Sequence, residues 1–558
     1  MSSTPETEST AAPKGRLLRA IETTFAQLWS WGPLYFLIAI SPGLALWPVL
    51  HPRAWNYIVR NDLSIGQRYG VLNTIALSFA ATTLVYVMVW LRRRRNEPEL
   101  KFGATVVALN RYAFGVLALP LLTALSVPRI EVKHEIFTAF LIVAVTALAM
   151  VFYYRVLALP RLTPPEDPFT PGRHARIAQG IFWAATVGYA GLFCYYTILD
   201  HHNLGTTVYD LGIYENLLWQ TAHGGFLDCS FIKGGNHTSA HFDPILWLFA
   251  QVYRVYQHAE TLQVMQTLWL ASGSLPLWKL ALHRLKNEWM AAILVLAYFL
   301  YPALHGVNIF DFHSLALIIP LVMWAAYLLD TGGLRRYWVV FTLLLLSRED
   351  ISIFNCFLGT YAILRGHVRT GLATIGISLL YLACVKLFIM ADSSLLMSAD
   401  KAYSYVYFYE EMIPHAKEGA RGLLISLLTN PLYALKVLFK QEKLLFFFHL
   451  LAPLLALPFA AGRKVVLMIH GLLFIGLASR KNLFSLHFQY SSVLLPMLFA
   501  AVPDGLVRVA DSARLRMLGL ARNRLAWTLV LGILTSSLLV SWKQGAIFDN
   551  AAFVGGWG

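Results

Sequence analysis

The sequence predicts an all-α polytopic integral membrane protein, and three observations carry that prediction. Hydrophobic residues make up 57% of the 558-residue chain and charged residues only 13%, with a mean hydropathy of +0.57. A soluble protein of this length carries about 25% charged residues. The apolar residues fall in repeated runs of about 18 or more, the length that crosses a bilayer. The basic residues sit in short clusters between those runs, which is how the positive-inside rule looks in sequence. A net charge of +15 distributed in this way builds no basic face for nucleic acid, and the bilayer itself is the expected partner.

Residues 1–30 lack the basic start and short apolar core of a signal peptide and read as a cytoplasmic tail running into an amphipathic segment. Apolar segments near 33–50, 71–91, 103–126 and 135–159 carry almost no internal charge and form an accessory four-helix bundle over 31–160. The polar, proline-rich stretch PRLTPPEDPFTPGRHAR then marks a boundary before a core over 177–545 that begins near Ile177. Its segments lie near 178–199, 262–282, 289–304, 313–329, 337–364 (interrupted), 369–391, 444–461, 464–479, 490–505 and 525–541. The chain thus contains about 13–15 transmembrane helices by the apolar-run criterion. Cys194, Cys229, Cys356 and Cys384 show no CxxC spacing, so neither a zinc motif nor a disulfide framework is indicated.

The basic clusters fix an orientation. Lys14, Arg16 and Arg19, then Arg92 to Arg95 with Lys101, then Arg161, Arg173 and Arg176 alternate with apolar segments. Arg284 with Lys286, Arg335 with Arg336, Arg463 with Lys464, and the run from Arg508 to Arg524 continue the series. All fall on one side if the segment 337–364 turns back on itself. The expectation is a multi-pass protein of a bacterial inner (plasma) membrane with a cytoplasmic N-terminus. Loops 200–245, 305–313, 391–421 and 480–490 then share the extracytoplasmic face.

The loop 200–245 concentrates Asp200, His201, His202, Asp210, Glu215, His223, Asp228, His237, His241 and Asp243, and carboxylates and imidazoles gathered in one membrane-protein loop point to chemistry there. Apolar residues at 211, 214, 217 and 218 predict a helix lying in the interface with Asp210 at its N-cap. Ser347-Arg348-Glu349-Asp350 separates two apolar stretches too short to span. It either lines a polar cavity at membrane depth or forms a solvated hairpin tip. Glycosyl transfer needs a carboxylate to take the acceptor's proton and cations to hold a departing phosphate. Asp210, Glu349 and Asp350 are the catalytic candidates, and Arg348, Arg480 and Lys481 the phosphate-binding ones. Tyr209, Glu215, His241, Asp243, Asp311, His313, Arg348, His487 and Tyr490 are candidates for substrate contact. Asp210, His241, Asp243, Asp311 and His313 could equally hold a divalent metal ion, although their spacing matches no specific metal motif; no other cofactor is indicated.

YDLGIYENLLWQTAHG, AHFDPILWL, YPALHGVNIFDFHSLAL, SREDIS and LHFQYSSVLLP, over roughly 177–505, resemble in order a family of prokaryotic membrane proteins catalogued as a domain of unknown function, DUF2079. That family commonly has Lys at the place of Arg348, so only the positive charge carries over. The family in turn resembles the C-type fold (GT-C) glycosyltransferases that use polyprenyl-phosphate sugars. The resemblance implies an inverting enzyme with Asp210 as general base, Arg348 near the lipid phosphate and Glu349 or Asp350 in an acceptor or metal role. Its partners would be a polyprenyl-phosphate-linked sugar donor and an unknown acceptor. The ending at Trp557-Gly558 lacks the soluble domain that some members of that superfamily carry and suggests a longer parent sequence. A transporter or flippase for a lipid-linked or small polar substrate, and a non-catalytic envelope-assembly protein, are the competing readings.

Overall fold

A computed structural model describes residues 13–54, 63–125, 134–232, 234–390, 405–413, 419–548 and 553. Among them the regular elements are helical, apart from an isolated bridge between Asp228 and Asn236. The chain is an all-α polytopic membrane protein. Among the described residues eight helices are long and apolar enough to cross a membrane, and a ninth span arises if the pair Glu288–Phe299 and Pro302–Ile309, bent by 49°, is counted as one. The chain divides into two compact units, Met1–Thr163 and Pro164–Gly558.

The first unit holds α1 (Pro13–Leu50), α2 (Ile65–Arg94), α3 (Phe102–Ala113), α4 (Ala118–Leu125) and α5 (His134–Val156). Ser64 and Gln67 close a reciprocal capping box at the start of α2, and Arg92, Arg93 and Arg94 sit in its last turn, where they complement the helix dipole. Tyr35, Ala39, Tyr86 and Val106 form the buried centre against Trp31, Phe79 and Phe102.

The second unit begins with α6 (Ala175–His202), α7 (Asp210–Ala222) and α8 (Leu246–Tyr253). There follow α9 (Ala259–Ser272), α10 (Ser274–Leu285), α11 (Glu288–Phe299), α12 (Pro302–Ile309), α13 (Ile318–Thr331), α14 (Leu334–Ser347), α15 (Ile351–Leu364) and α16 (Val368–Cys384). After the short α17 (Tyr405–Phe408) come α18 (Gly419–Thr429), α19 (Pro431–Leu438), α20 (Gln441–Leu451), α21 (Val466–Gly476), α22 (Leu495–Ala510), α23 (Ala513–Met517) and α24 (Arg522–Gln544). Several core segments read as single apolar runs are here pairs of shorter helices. The run 262–282 breaks at Gly273, where an added Cβ would lie 2.6 Å from the Tyr298 hydroxyl. The run 289–304 breaks before Pro302, which lacks the N–H a continuing helix needs.

The interrupted segment is a hairpin. α14 ends at Ser347, Arg348 is extended (φ −170°, ψ 146°), and α15 returns. Arg365, just past α15, reaches back to Asp330 at 3.3 Å, and His367 to the Leu329 carbonyl at 3.2 Å, so both legs meet the same end of α13. There the basic connections gather. Buried Lys464 bridges Asp330 and Asp504, each at 2.6 Å. Arg284 pairs with Asp504 at 2.9 Å, Tyr361 donates to Asp330, and Arg463 donates to the Leu364 carbonyl. The proline-rich stretch joins this end through Arg522 to Asp167 (2.8 Å) and Asn287 to the Thr170 carbonyl (2.9 Å).

Candidate functional site

The opposite end of the second unit gathers the polar loops. Asp210 is the first helical residue of α7 and not its cap. Thr207 takes the capping role instead: its hydroxyl oxygen accepts the Asp210 N–H at 3.1 Å. The Asp210 carboxylate stands 3.9 Å from His313 Nε2, with 30% of its side chain still exposed. Thr207 in turn donates through both its N–H and its hydroxyl to Asp311. Burial pushes the Asp311 carboxyl up to about 7 against those two bonds, and the charges of Asp210 and Asp200 add to the rise.

His313 is held from three sides. Its backbone N–H donates to the side-chain oxygen of buried Gln266, whose amide NH₂ in turn donates to the Asp311 carbonyl at 2.7 Å. Phe310 stacks on its ring with centroids 5.3 Å apart, and Tyr214 of α7 meets it edge-on at 5.4 Å. Burial holds its pKa below the ordinary imidazole value despite Asp210. Tyr214 also contacts His237 (5.6 Å), which pairs with Asp243 at 2.9 Å.

The hairpin tip enters the same cluster. Arg348, Glu349 and Asp350 are 7%, 0% and 8% exposed, so the tip is neither solvated nor unpaired. Arg348 makes a two-point contact with Asp350. Glu349 accepts from the Phe242 N–H at 3.0 Å, contacts His241 at 3.2 Å and pairs with Lys386 at 3.3 Å. Burial disfavours the Glu349 anion, but His241, Lys386 and Arg348 together outweigh it and hold the carboxyl well below its usual range. Lys386 comes from a π-helical turn, Val385–Ile389, that ends the α16 span; such turns re-aim side chains and are frequent at functional sites. The two halves share one field, because Arg348 acts on His313, Tyr214 and Tyr490, and Tyr490 also feels Asp210 and Asp350.

The other candidates lie around this centre. Tyr490 is pushed up to about 12 by burial and packs on Phe408. Arg480 lies over the Tyr407 ring at 3.8 Å and pairs with Glu410, and Lys481 pairs with Glu442. His487 lies against Phe553, on the stretch whose Leu486 carbonyl meets Gly306 of α12 so closely that no Cβ would fit. Glu215 faces Tyr253 (3.5 Å), and Tyr209 is about half exposed at the entrance to α7. The expected loop 391–421 lies partly outside the described residues, over 391–404 and 414–418. Among the described residues no three His, Cys, Asp or Glu side chains come together to hold a metal ion. Asp243 is taken by His237, Asp311 by Thr207 and His241 by Glu349, which keeps the five metal candidates in separate pairs.

Buried polar atoms without a hydrogen-bond partner among the described residues crowd this end. They include Asp243 Oδ2, His313 Nδ1, the Tyr381 hydroxyl, Ser352 Oγ, both amide atoms of Asn355, Gln489 Oε1 and His470 Nδ1. Lys386, Tyr381, Gln266 and Thr207 were not singled out by the sequence. A lysine inside an apolar run is the one signal that was available, since intramembrane ionisable residues mark sites.

A family model described as "Predicted membrane protein (DUF2079)" matches residues 200–547. That match includes every one of the site residues above and excludes the first unit. No curated protein and no solved structure matches the chain.

Proposed function

We propose, since this chain belongs to the DUF2079 family of membrane proteins, that it is a GT-C-like inverting glycosyltransferase. It moves a sugar from a polyprenyl-phosphate donor to an acceptor on the extracytoplasmic face. The observation that carries the reading is the placement of Asp210. Its carboxylate is left out of helix capping, is partly exposed and faces a fixed imidazole, in the same cluster as the buried triplet Arg348-Glu349-Asp350.

In this reading Asp210 accepts the proton of the acceptor hydroxyl as that oxygen attacks the anomeric carbon. Arg348 opposes the charge that builds on the departing lipid phosphate. Glu349, kept ionised by Lys386 and His241, anchors the hairpin tip to the loop through the Phe242 N–H. Arg480 and Lys481 stand at the periphery, where their partners Glu410 and Glu442 are exposed enough to be exchanged for a lipid headgroup. The basic clusters at the other end support a cytoplasmic placement for it.

The test is transfer itself. Purified full-length protein is incubated with a panel of radiolabelled polyprenyl-phosphate sugars and membrane extracts as acceptor. Label moving out of the donor, with inverted configuration in the product, supports the reading; no transfer across a broad donor panel contradicts it. A second reading, a transporter of a lipid-linked or small polar substrate, draws on the bent pair α11–α12 and on the partly buried Lys386 within an apolar span. It predicts substrate movement across proteoliposomes without any bond being broken.

A further inference from the structure

The cluster has two chemically different sides. On the first, His313 stands 3.9 Å from Asp210, and Tyr490 lies within reach of the charges of both Arg348 and Asp210. On the second, two buried carboxylates, Asp243 and Glu349, flank Phe242, whose N–H donates to Glu349 and whose ring packs against Tyr381. The cations nearest the second side are already engaged: Lys386 and His241 both contact Glu349 Oε1. Asp243 uses one oxygen for His237, and its other oxygen, completely buried, has no hydrogen-bond partner among the described residues; nor does the Tyr381 hydroxyl.

A buried carboxylate oxygen demands a donor, and leaving it unsatisfied costs more than a single net hydrogen bond returns. A phosphate cannot fill that demand, because it has no donor and would meet two carboxylates. A hydroxyl can, by donating to Asp243 and accepting from Tyr381. The Phe242 ring, 6.4 Å from that of Tyr381, supplies an apolar face of the kind on which sugar C–H groups stack. We infer that Asp243 and Tyr381 form a subsite for a hydroxyl of the donor's sugar ring, set apart from the Arg348 side that takes the phosphate. The inference rests on the transferase reading and names the substrate part that this side of the site holds.

The probe is hexyl β-D-glucopyranoside, with hexanol as control, titrated against the full-length protein in a sugar-free detergent and read as thermal melting. The inference predicts saturable stabilisation by the glucoside and not by hexanol. Loss of one such bond should weaken the apparent affinity about ten-fold or more in Asp243→Asn and separately in Tyr381→Phe. Tyr381→Phe removes only the hydroxyl, so it remains informative if Asp243→Asn folds poorly. Equal affinity in the variants, or no stabilisation of the wild type, overturns the subsite. The transferase reading fails differently. Glucoside binding that depends on Asp243 and Tyr381, without transfer from any donor, leaves the subsite standing. Transfer with unchanged donor KM in both variants removes the subsite and leaves the transferase.

Discussion

Two charged networks occupy opposite ends of the second unit, and they are built on opposite principles. At the basic end, Lys464 sits between Asp330 and Asp504, flanked by Arg284, Arg365 and Tyr361. Among the described residues none of these side chains leaves a buried polar atom without a partner. At the other end, carboxylates and imidazoles are just as buried, yet Asp243, His313, Tyr381, Ser352, Asn355, Gln489 and His470 all keep unpartnered polar atoms. A network that satisfies itself has no need of a ligand. One that leaves donors and acceptors unmet in a buried setting must be completed by water or by a ligand. The contrast distinguishes a self-satisfied clamp from a candidate site without appeal to which residue types are present, because both ends use Asp, Lys and Arg.

Opening the clamp should have the largest effect on stability. Lys464→Met should leave two partly buried aspartates without their common cation; because Arg365 and Arg284 still pair with them, the cost should be about 3 kcal/mol, the low end for a broken buried pair. The expected readout is a large fall in melting temperature of the purified protein, with glucoside binding at the opposite end unchanged in the fraction that remains folded. A small fall would mean that the basic end is hydrated and not a clamp.

Asp311 sharpens the other half. Its folded pKa of about 7 lies above the ordinary carboxyl value of ~3.9. The folded state therefore holds the proton more tightly than the unfolded chain does. The stabilisation is fully present below about pH 4, falls as the pH rises towards about 7, and is constant above that, with a total of up to about 4 kcal/mol. Asp311→Asn should flatten this part of the stability profile between pH 4 and 7. An unchanged profile would mean that Asp311 is hydrated and outside the buried cluster.

Gly306→Ala tests how the stretch carrying His487 and Tyr490 is held. A Cβ at 306 runs into the Leu486 carbonyl, so either α12 or residues 485–488 must move. Overpacking of this kind costs about 1–3 kcal/mol, seen as a lower melting temperature. A smaller effect is expected from Arg480→Ala, which removes a partly exposed pair with Glu410 worth at most about 1 kcal/mol; its stability should change little.

The sequence carried the membrane class, the interruption at 347–350 and the polar loop around Asp210, because each is written in local composition. The short, broken helices of the core were less visible. Gly273 and Pro302 interrupt runs that remain apolar throughout, so hydropathy alone joins what backbone chemistry separates. Asp210 showed the same limit at closer range. Its position before an amphipathic helix is what a capping residue would have, and only the Thr207 hydroxyl, three residues earlier, reveals that the cap is elsewhere. Lys386 and Tyr381 were hidden inside an apolar run, and their role depends on a π-helical turn that sequence periodicity does not announce. The Asp330–Lys464–Asp504 clamp joins Asp330 in the last turn of α13, Asp504 inside α22 and Lys464 from the Arg463–Lys464 cluster before α21, so only its cation was visible as part of a basic cluster.

The central claim is that Asp210 is a reactive carboxylate in a ligand-seeking cluster and not part of the scaffold. Asp210→Asn keeps the shape and the Thr207 cap but removes the base, and the measurement is transfer from labelled polyprenyl-phosphate sugar beside thermal melting of the same preparation. Loss of a general base lowers turnover by about 10²–10⁴-fold, and the account predicts that loss with an unchanged melting temperature. Turnover close to wild type, or a loss of activity that only follows a loss of folding, would contradict it.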